Sequence, residues 1–446
     1  MAQGRGTWKS PEAHHVPEYD VPEAFTNLDE VAVVEPVQNP DEERTRRYES
    51  LEQVRGHEQE YLREEAAARR PPPVSHHPAV VPAARAEEKV DKKSRASRMA
   101  TQAYTISYIV LFSILGTLAR LGLQALTAYP GMPVIFPSIW PNFAGSFVMG
   151  YLAEDRVLFP SSASRANPGR PGDGGSTARK AHAALKKTIP LYIGLATGFC
   201  GSLTSFSAFM RDVFLALSND LARTAPRNVG YSLAAVLAVI ILTVSLSLSA
   251  FFLGAHFALA LEPPTPSLPY MFTRRFVDRF VVPLAWTVWL AVILLCIFPP
   301  DRSLDPTQQS WRGAATFALA FAPLGCLARF YASIHLNGRI AGFPLGTFSV
   351  NMAGTAILGM AWDLAHVLLG GVLGCQVLQG VEDGFCGCLT TVSTWVAELA
   401  ALRRRSAYVY GGASLAAGLG LVVIIMGGLR WSVEGGFASL ACVHSL

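Results

Sequence analysis

Nine stretches of mainly apolar residues run through the chain, and each approaches the ~20 residues that an α-helix needs to cross the ~30 Å hydrocarbon core of a bilayer. They lie at roughly 104–127, 134–153, 189–217, 230–261, 281–298, 312–335, 343–368, 377–402 and 408–430. The fifth stands alone between two groups of four. The pattern predicts an all-α polytopic membrane protein of nine spans, in which a single linking helix joins two four-helix groups.

The first 100 residues differ from this apolar body in composition. They hold 34 of the chain's 70 charged residues and a Pro71-Pro-Pro73 run, and they offer too little apolar surface to offset the entropy of ordering. We expect a disordered cytoplasmic tail at 1–100, followed by a first repeat at 101–262, a linker with one helix at 263–310 and a second repeat at 311–446. No basic patch with interleaved aromatic residues indicates nucleic-acid binding.

Basic residues in alternate loops predict the orientation. They precede the first, third, fifth, seventh and ninth spans, at 92–95, 179–187, 274–279, 339 and 403–405, and the positive-inside rule places these loops in the cytoplasm. Arg223 and Arg227 lie in an opposite loop and are the main exception. The N-terminus is then cytoplasmic and the C-terminus extracellular. Because an odd number of spans separates the first span from the sixth, the two groups of four must be inverted repeats.

Three motifs recur between these groups. Gly116-Thr-Leu-Ala-Arg120 matches Gly325-Cys-Leu-Ala-Arg329, and Pro141-Asn-Phe-Ala-Gly-Ser146 matches Val350-Asn-Met-Ala-Gly-Thr355, both 209 positions apart. Gly198-Phe-Cys-Gly-Ser-Leu-Thr-Ser-Phe-Ser-Ala-Phe209 matches Gly384-Phe-Cys-Gly-Cys-Leu-Thr-Thr-Val-Ser-Thr-Trp395, 186 positions apart. The change of spacing falls in loops, which fits a duplicated membrane domain.

The third motif places glycines and hydroxyls where a lipid-facing helix would carry Leu, Ile or Val. Irregular backbone is tolerated at membrane depth only where it lines a cavity or is buried in protein. If Gly201 and Gly387 interrupt their helices, the carbonyls near Thr204 and Thr390 lose their helical partners. Such carbonyls are ligands for a cation or for water.

The asparagines and arginines of the other two motifs each allow two interpretations. The amides of Asn142 and Asn351 can donate to an anion or bond a neighbouring helix, and packing is the simpler role. Arg120 and Arg329 are costly in lipid, so they either attract an ion or serve as buried partners of a helix end.

Phe206 and Phe209 lie three residues apart and therefore share one helical face. Their ring edges carry partial positive charge and can contact a small dehydrated anion, although an isolated pair at this spacing is ordinarily core packing. The seven cysteines match neither a zinc site nor a disulfide framework, and we expect them to be small packing residues. The spans contain none of the hydrolase or metalloprotease motifs, so we expect no enzyme.

Taken together, the inverted four-span groups and their three motifs resemble the Fluc family of fluoride channels, and the fused form with one linking helix is similar to the eukaryotic fluoride exporters (FEX) of that family. The resemblance covers about residues 104–430. It implies fluoride-selective, passive, voltage-driven export that gives fluoride resistance. It further implies a monomer of two fused repeats among the lipids of the plasma membrane.

The resemblance also implies two anion pathways and a central structural sodium ion. The sodium ligands would be the backbone carbonyls of Gly201, Thr204, Gly387 and Thr390. The residues of the anion pathways would be Asn142, Asn351, Phe206, Phe209, Thr204, Ser207, Thr390, Thr391, Ser393, Ser232 and Ser414, with Ser232 and Ser414 matched only loosely in the fourth helices. Arg120 and Arg329 would have structural or electrostatic roles.

The second half departs from the family pattern at both aromatic positions, with Val392 and Trp395 in place of Phe206 and Phe209. Valine has no ring edge, and tryptophan changes both size and hydrogen bonding. We therefore expect one conducting pathway of two. A proton- or ion-coupled secondary transporter of a small anion is the alternative, because inverted repeats with broken helices are common in that class.

Overall fold

The computed structural model describes residues 83–159, 186–221, 230–266, 268, 273–300, 315–367 and 371–432. These residues form helices and no strand. We number the helices α1 (Ala83–Thr127), α2 (Ile139–Glu154), α3 (190–203), α4 (Phe206–Leu217), α5 (Gly230–Ala260), α6 (Asp278–Ile297), α7 (Phe317–Leu336), α8 (Leu345–Ala365), α9 (371–389), α10 (Ser393–Ala401) and α11 (Arg404–Ser432).

Six helices of the described chain are long and apolar enough to cross a membrane. They are Arg95–Thr127, Pro190–Leu217, Gly230–Ala260, Asp278–Ile297, Phe317–Leu336 and Arg404–Ser432. The other three predicted spans also contain helix: α2, α8 and the α9–α10 pair. With 16 residues, α2 reaches only ~24 Å, and α9 and α10 are separated by a break. The prediction of an all-helical polytopic membrane protein is confirmed at this level.

The boundary of the tail differs from the prediction. Helix α1 begins at Ala83, so residues 83–100, assigned to a disordered tail from composition, are helical. The sequence there is charged but contains good helix formers and no proline after residue 82, so the first span extends as a helix beyond its apolar part. The rest of the predicted tail, residues 1–82, lies outside the described residues, as do 433–446.

Both third spans are interrupted, as their glycines and hydroxyls predict. α3 contains wide π-helical turns over Gly194–Cys200, and α9 contains them over Val381–Cys386. Each then ends at a threonine with extended backbone, Thr204 (ψ 152°) and Thr390 (ψ 155°). The carbonyls of the preceding turn thereby lose their partners within the helix. The chain resumes as α4 and α10.

The helices that follow the breaks, α4 and α10, each pack against helices of the other half. α4 packs against α8 and α11 of the second half, and α10 packs against α2 and α5 of the first half. α1 and α7 contact each other, and α6, the linking helix, packs mainly on α1. The Pro190–Leu217 segment is 89% buried, whereas Asp278–Ile297 is only 17% buried. The broken helices therefore form the centre of the molecule, and the linking helix lies at its edge.

Two features fix the position of α2 in the first half. Gly150 and Gly254 let α2 and α5 approach until backbone meets backbone, because any Cβ there would collide with the carbonyls of Phe251 and Phe147. Lys186 is buried, and its Nζ donates to the carbonyls of Leu152, Ala153 and Asp155 at 2.7–2.9 Å. Burial lowers the pKa of Lys186 to about 8. The lysine thus caps the C-terminal end of α2.

The cysteines only partly follow the prediction. Cys200, Cys326, Cys386 and Cys388 are free and buried, as expected of small packing residues. Cys375, in the first turns of α9, is disulfide-bonded. The expectation that no cysteine forms a disulfide is therefore wrong, because spacing along the chain does not report which loops lie close together in space.

Candidate anion pathway at the crossing of the broken helices

The breaks in the two third spans lie against each other, and hydroxyls from both halves fill the contact. Oγ of Ser207 lies 3.0 Å from Oγ1 of Thr390. On the opposite side, Oγ1 of Thr204 lies 3.1 Å from Oγ of Ser393. All four residues are fully buried. Each pair joins one half to the other. The structure therefore brings these four predicted hydroxyls together in two equivalent clusters, one at each break.

Each threonine also caps the resumed helix of the other half. Oγ1 of Thr390 accepts the N–H of Ser207 at 3.1 Å, and Oγ1 of Thr204 accepts the N–H of Ser393 at 3.1 Å. These N–H groups belong to the first turns of α4 and α10, which have no helical acceptors. Thr391, the remaining predicted hydroxyl, lies 3.2 Å from the hydroxyl of Thr204. The hydroxyls therefore hold the crossing as well as line it.

The two asparagines bind the breaks rather than face an open cavity. Oδ1 of Asn142 accepts the N–H of Ser205 at 2.9 Å, and its Nδ2 lies 3.5 Å from the carbonyl of Ser205. Asn351 makes the same two contacts with Thr391, at 2.9 and 3.2 Å. Each amide thus replaces the backbone partners that the break removes. Of the two interpretations left by the sequence, the contact with a neighbouring helix is the one that the geometry supports.

The two arginines also reach across to the opposite half. Arg329 donates from Nη1 to the carbonyl of Gly201 and from Nη2 to that of Thr197, both at 2.6 Å. Arg120 donates from Nη2 to the carbonyl of Asp383, the position equivalent to Thr197. Both arginines are buried, and each packs directly against the glycine at the opposite break, because a Cβ on Gly201 or Gly387 would collide with the guanidinium. They are buried partners of helix ends.

The four carbonyls predicted to hold a cation do not have equal surroundings. Thr204 and Thr390 are extended, so their carbonyls leave the helical hydrogen-bond pattern and suit a cation. The carbonyl of Gly201 already accepts a hydrogen bond from Arg329. Among the described residues, no cluster of three or more His, Cys, Asp or Glu side chains could hold a metal ion. The ligands available to a cation at the crossing are therefore backbone carbonyl oxygens.

The aromatic residues meet between the halves. The rings of Phe206 and Phe209 pack edge to face, with centroids 5.8 Å apart, and Phe206 also contacts Trp395 at 5.6 Å. All three, and Val392, are at most 1% exposed. Trp395 occupies the position equivalent to Phe209, so the two predicted pathways share one aromatic contact at the crossing.

Two sides of the crossing can now be distinguished. We call the contact of α4 with α8 and α11 the phenylalanine side, and the contact of α10 with α2 and α5 the tryptophan side. On the phenylalanine side, Phe206 and Met210 pack against Gly418 of α11. Phe206 therefore lies against α11 of the second half, the helix that also carries Ser414.

The loose pairing of Ser232 with Ser414 is not reproduced. Ser414 lies about three turns into α11, where its Oγ donates to the carbonyl of Tyr410 at 2.8 Å. Ser232 lies in the first turn of α5, so the two serines differ in depth. Thr243 and Ser247 are the buried hydroxyls in the middle of α5. The fourth helices lack a long shared motif, so their register could not be read from the sequence.

The sequence offers Asp212 and Glu398 only as ionisable residues towards span ends, and the structure shows the site that each forms. Glu398 is fully buried and accepts hydrogen bonds from Thr347 and from Tyr410, each at 2.6 Å. At the equivalent position of the first half, Asp212 accepts the N–H of Ser138 at 3.2 Å. The signal was present, since these acids each follow the second aromatic position of the third motif by three residues, and an acid inside a membrane span is a candidate functional residue.

We expect the phenol of Tyr410 to be needed for stability. Tyr410→Phe removes one of the two donors to the Glu398 carboxylate and should lower the free energy of unfolding by about 1–3 kcal/mol, measured by thermal unfolding in detergent. Tyr408→Phe is the matched control, because Tyr408 is 80% exposed and should lose nothing. Equal stability of the two variants would contradict the assignment.

Comparisons of the sequence with those of known proteins identify a family and several relatives. The model of the family described as "CrcB-like protein, Camphor Resistance (CrcB)" matches twice, at residues 107–255 and 316–428. "Fluoride export protein 1" of Neurospora crassa is 58% identical over 450 residues, 95% of this chain and 85% of that protein. "Fluoride export protein 1" of Candida albicans is 34% identical over 357 residues, 77% and 85% of the two chains.

A bacterial protein matches a shorter part. "Fluoride-specific ion channel FluC 1" of Symbiobacterium thermophilum is 41% identical over 114 residues, which make up 24% of this chain and 89% of that protein. No solved structure matches the chain. The resemblance inferred from the three repeated motifs is confirmed by the double family match and by these relatives, and the chain belongs to the CrcB-like family of fluoride channels and fluoride export proteins.

Proposed function

We propose that this protein is a fluoride-selective channel that exports fluoride from the cytoplasm passively and thereby gives fluoride resistance. The observation that carries the proposal is the crossing of two broken helices, lined by buried hydroxyls and aromatic edges, in a chain 58% identical to a fluoride export protein. Fluoride is small and strongly hydrated, so its selective passage needs several donors in a narrow wall. No catalytic step is involved, and the protein is not an enzyme.

The driving force for export is the membrane potential. Hydrogen fluoride is a weak acid that crosses membranes when neutral and ionises in the cytoplasm. An inside-negative potential favours exit of the anion by ~2.3 kcal/mol per 100 mV, so a passive channel is sufficient. We place the protein in the plasma membrane, surrounded by lipid, as a monomer whose two fused repeats supply both halves of the channel.

The proposed topology has nine spans and two inverted repeats. Three observations support it: the family model matches each half separately, the bacterial relative is covered almost fully by 114 residues, and Arg120 and Arg329 bind equivalent carbonyls across the crossing. The N-terminus is cytoplasmic and the C-terminus extracellular. The disulfide at Cys375 supports this orientation, because it lies before the eighth span on the outer side, where disulfides persist.

Fluoride conduction is assigned to the phenylalanine side alone. That side has the ring edges of Phe206 and Phe209, and Phe206 packs against Gly418 of α11. On the tryptophan side Val392 offers no ring edge, and the indole of Trp395 contacts Phe206 instead. We therefore assign the tryptophan side a mainly structural role.

The proposed cofactor is one structural sodium ion at the crossing. The carbonyls of Thr204 and Thr390 fit such an ion, and those of Gly201 and Gly387 would complete its shell. The guanidinium of Arg329 competes for Gly201, which favours binding through the two threonine carbonyls. The ion would neutralise the carbonyl ends of α3 and α9.

Removal of sodium should destabilise the crossing without abolishing the fold. Replacement of sodium by N-methylglucamine should lower the thermal unfolding temperature of the purified protein, because the carbonyl ends would lose their common cation, and added sodium should restore it in a saturable manner. Potassium is the control for ionic strength. Identical unfolding curves in sodium and N-methylglucamine would remove the sodium site from the proposal.

Fluoride efflux from liposomes that contain the purified protein tests the function, with chloride as the control anion. We expect fluoride efflux that follows the imposed voltage and no chloride efflux. The coupled transporter is the second candidate, favoured by the buried carboxylates Asp212, Glu382 and Glu398, since proton coupling uses such groups. Fluoride movement that requires a proton gradient would decide for that alternative, and no fluoride movement at all would contradict both.

A further inference from the structure

A second polar contact joins the broken helices on the phenylalanine side, one helical turn from the hydroxyl cluster. Arg211 follows Ser207 by four residues on α4, and Glu382 precedes Cys386 by four residues on α9. Nη1 of Arg211 lies 3.8 Å from Oε2 of Glu382. Because Ser207 contacts the carbonyl of Cys386, the polar column of the crossing continues outward as an ion pair.

The guanidinium of Arg211 lies among acids and one aromatic ring. Nε is 3.8 Å from Oδ1 of Asp212, and the guanidinium carbon lies 5.7 Å from the ring centroid of Trp362 on α8. The side chain is 13% exposed, and that of Glu382 is 6% exposed. The two charges therefore lie where α4, α8 and α9 meet, and both side chains are largely but not completely buried.

The three residues of this cluster have no charged or aromatic counterparts at the equivalent positions of the tryptophan side. The repeat offsets of 186 and 209 relate Arg211 to Ala397, Glu382 to Ala196 and Trp362 to Ala153. All three alanines are buried, and α10 packs on α2 as α4 packs on α8. At these three equivalent positions, the phenylalanine side therefore carries a cation, an anion and an aromatic ring, whereas the tryptophan side carries three alanine methyl groups.

The geometry is that of a charge held near its counter-ions but not locked by them. Charge-assisted hydrogen bonds between guanidinium and carboxylate have N···O distances of about 2.7–2.9 Å, whereas both contacts of Arg211 with acids are 3.8 Å. Buried charges at membrane depth are costly and usually mark an ion's route. A small anion can approach donors arranged in this way without first breaking a short bidentate pair.

The second helix of the same side leads to the cluster. Asn351, Thr355 and Trp362 lie four and seven residues apart and share one face of α8. Asn351 and Thr355 are fully buried near the crossing, and Trp362 carries Arg211 over its ring. This face connects the hydroxyl cluster with the guanidinium along a single helix.

We propose that Arg211 binds fluoride at the outer end of the phenylalanine side and that Glu382 is the counter-ion that competes with fluoride for the guanidinium. Arg211 attracts the anion as it leaves the aromatic residues, and the carboxylate of Glu382 keeps binding weak enough for release, as conduction requires. The proposal rests on the proposed fluoride conduction by this side. It adds an anion-binding cation that lies outside the three repeated motifs.

The test is the fluoride concentration that gives half-maximal current in bilayers with the full-length protein. Wild-type current establishes the proposed function first, so its absence would be a failure of that function and not of this inference. We expect Arg211→Gln to raise the half-saturating concentration about tenfold and Arg211→Lys to change it far less. Glu382→Gln should lower it, because the competitor is gone. Ala397→Gln, at the equivalent position of the tryptophan side, is the matched control and should leave it unchanged.

The double variant separates fluoride binding from a structural ion pair. Arg211→Gln with Glu382→Gln removes one charge of each sign and keeps the net charge of the cluster, so it should be less destabilised than Arg211→Gln alone. We expect it to retain the raised half-saturating concentration of the arginine variant. Recovery of the wild-type value in the double variant, or an unchanged value in Glu382→Gln with only a lower unfolding temperature, would overturn the proposal and leave a purely structural pair.

Discussion

Alanine at Phe206 should reduce fluoride efflux from liposomes by about 10- to 100-fold, a rise of ~1.4–2.8 kcal/mol in the barrier to permeation. The substitution removes a ring that contacts both Phe209 and Trp395 at the centre of the crossing. The edge of that ring is the electropositive surface offered to a partly dehydrated anion. Phe209→Ala should have a similar effect, because its ring completes the same edge-to-face pair.

Trp395→Ala is the matched control for this prediction. Both substitutions remove a fully buried aromatic residue, so both should cost about 3–5 kcal/mol of stability, and thermal unfolding of each variant checks that this cost is comparable. Fluoride efflux should fall much less in Trp395→Ala, and Val392→Ala should conduct as the wild type does. Equal losses of efflux on the two sides would contradict conduction by the phenylalanine side alone.

Arg329→Met should lower the free energy of unfolding by roughly 2–6 kcal/mol, since the carbonyls of Gly201 and Thr197 would lose their donor and each unsatisfied buried group costs about 1–3 kcal/mol. Thr197 lies in the wide turns of α3, and Gly201 directly follows them near the end of that helix. Thermal unfolding of the purified protein measures the loss. We also expect fluoride efflux to fall, because the break would no longer be held against the second half.

The controls for Arg329 separate position from charge. Arg339→Met removes an exposed arginine whose Nε donates to the carbonyl of its own helix end, and it should change stability little. Arg329→Lys keeps the charge but loses the fork that reaches two carbonyls at once, so an intermediate loss is expected. An unfolding temperature for Arg329→Met equal to that of the wild type would show that these contacts contribute nothing.

Several parts of this fold could be predicted because their physical cause is local. Apolar runs of sufficient length specify the membrane helices, and a cluster of glycines and hydroxyls inside such a run specifies a break. The helices end at Thr204 and Thr390, three residues after Gly201 and Gly387, the glycines at which that reasoning places the breaks. The repeated motifs were sufficient to identify the family.

Other parts of the fold could not be predicted, because they depend on which helices of one half pack against which helices of the other. The offset between the motifs relates Asn142 to Asn351, but it does not show that α4, which carries Phe206, packs against α8 of the second half, which carries Asn351. The arginines left an open choice for the same reason: a guanidinium buried in the opposite half looks, in the sequence, like any charge within a membrane span. The hydrogen bond between Glu398 and Tyr410 joins two helices, so no local sequence pattern predicts it.

The sequence by itself determined the class of the protein, the duplication, the presence of two breaks and the inequality of Phe206 and Phe209 against Val392 and Trp395, since each of these is a property of residue type and spacing. Only the tertiary structure decided how the halves are combined. Side chains such as those of Arg329 and Arg211 obtain their partners from the other half. Contacts of that kind depend on how helices cross, and crossing is set by packing over the whole molecule rather than by any one segment.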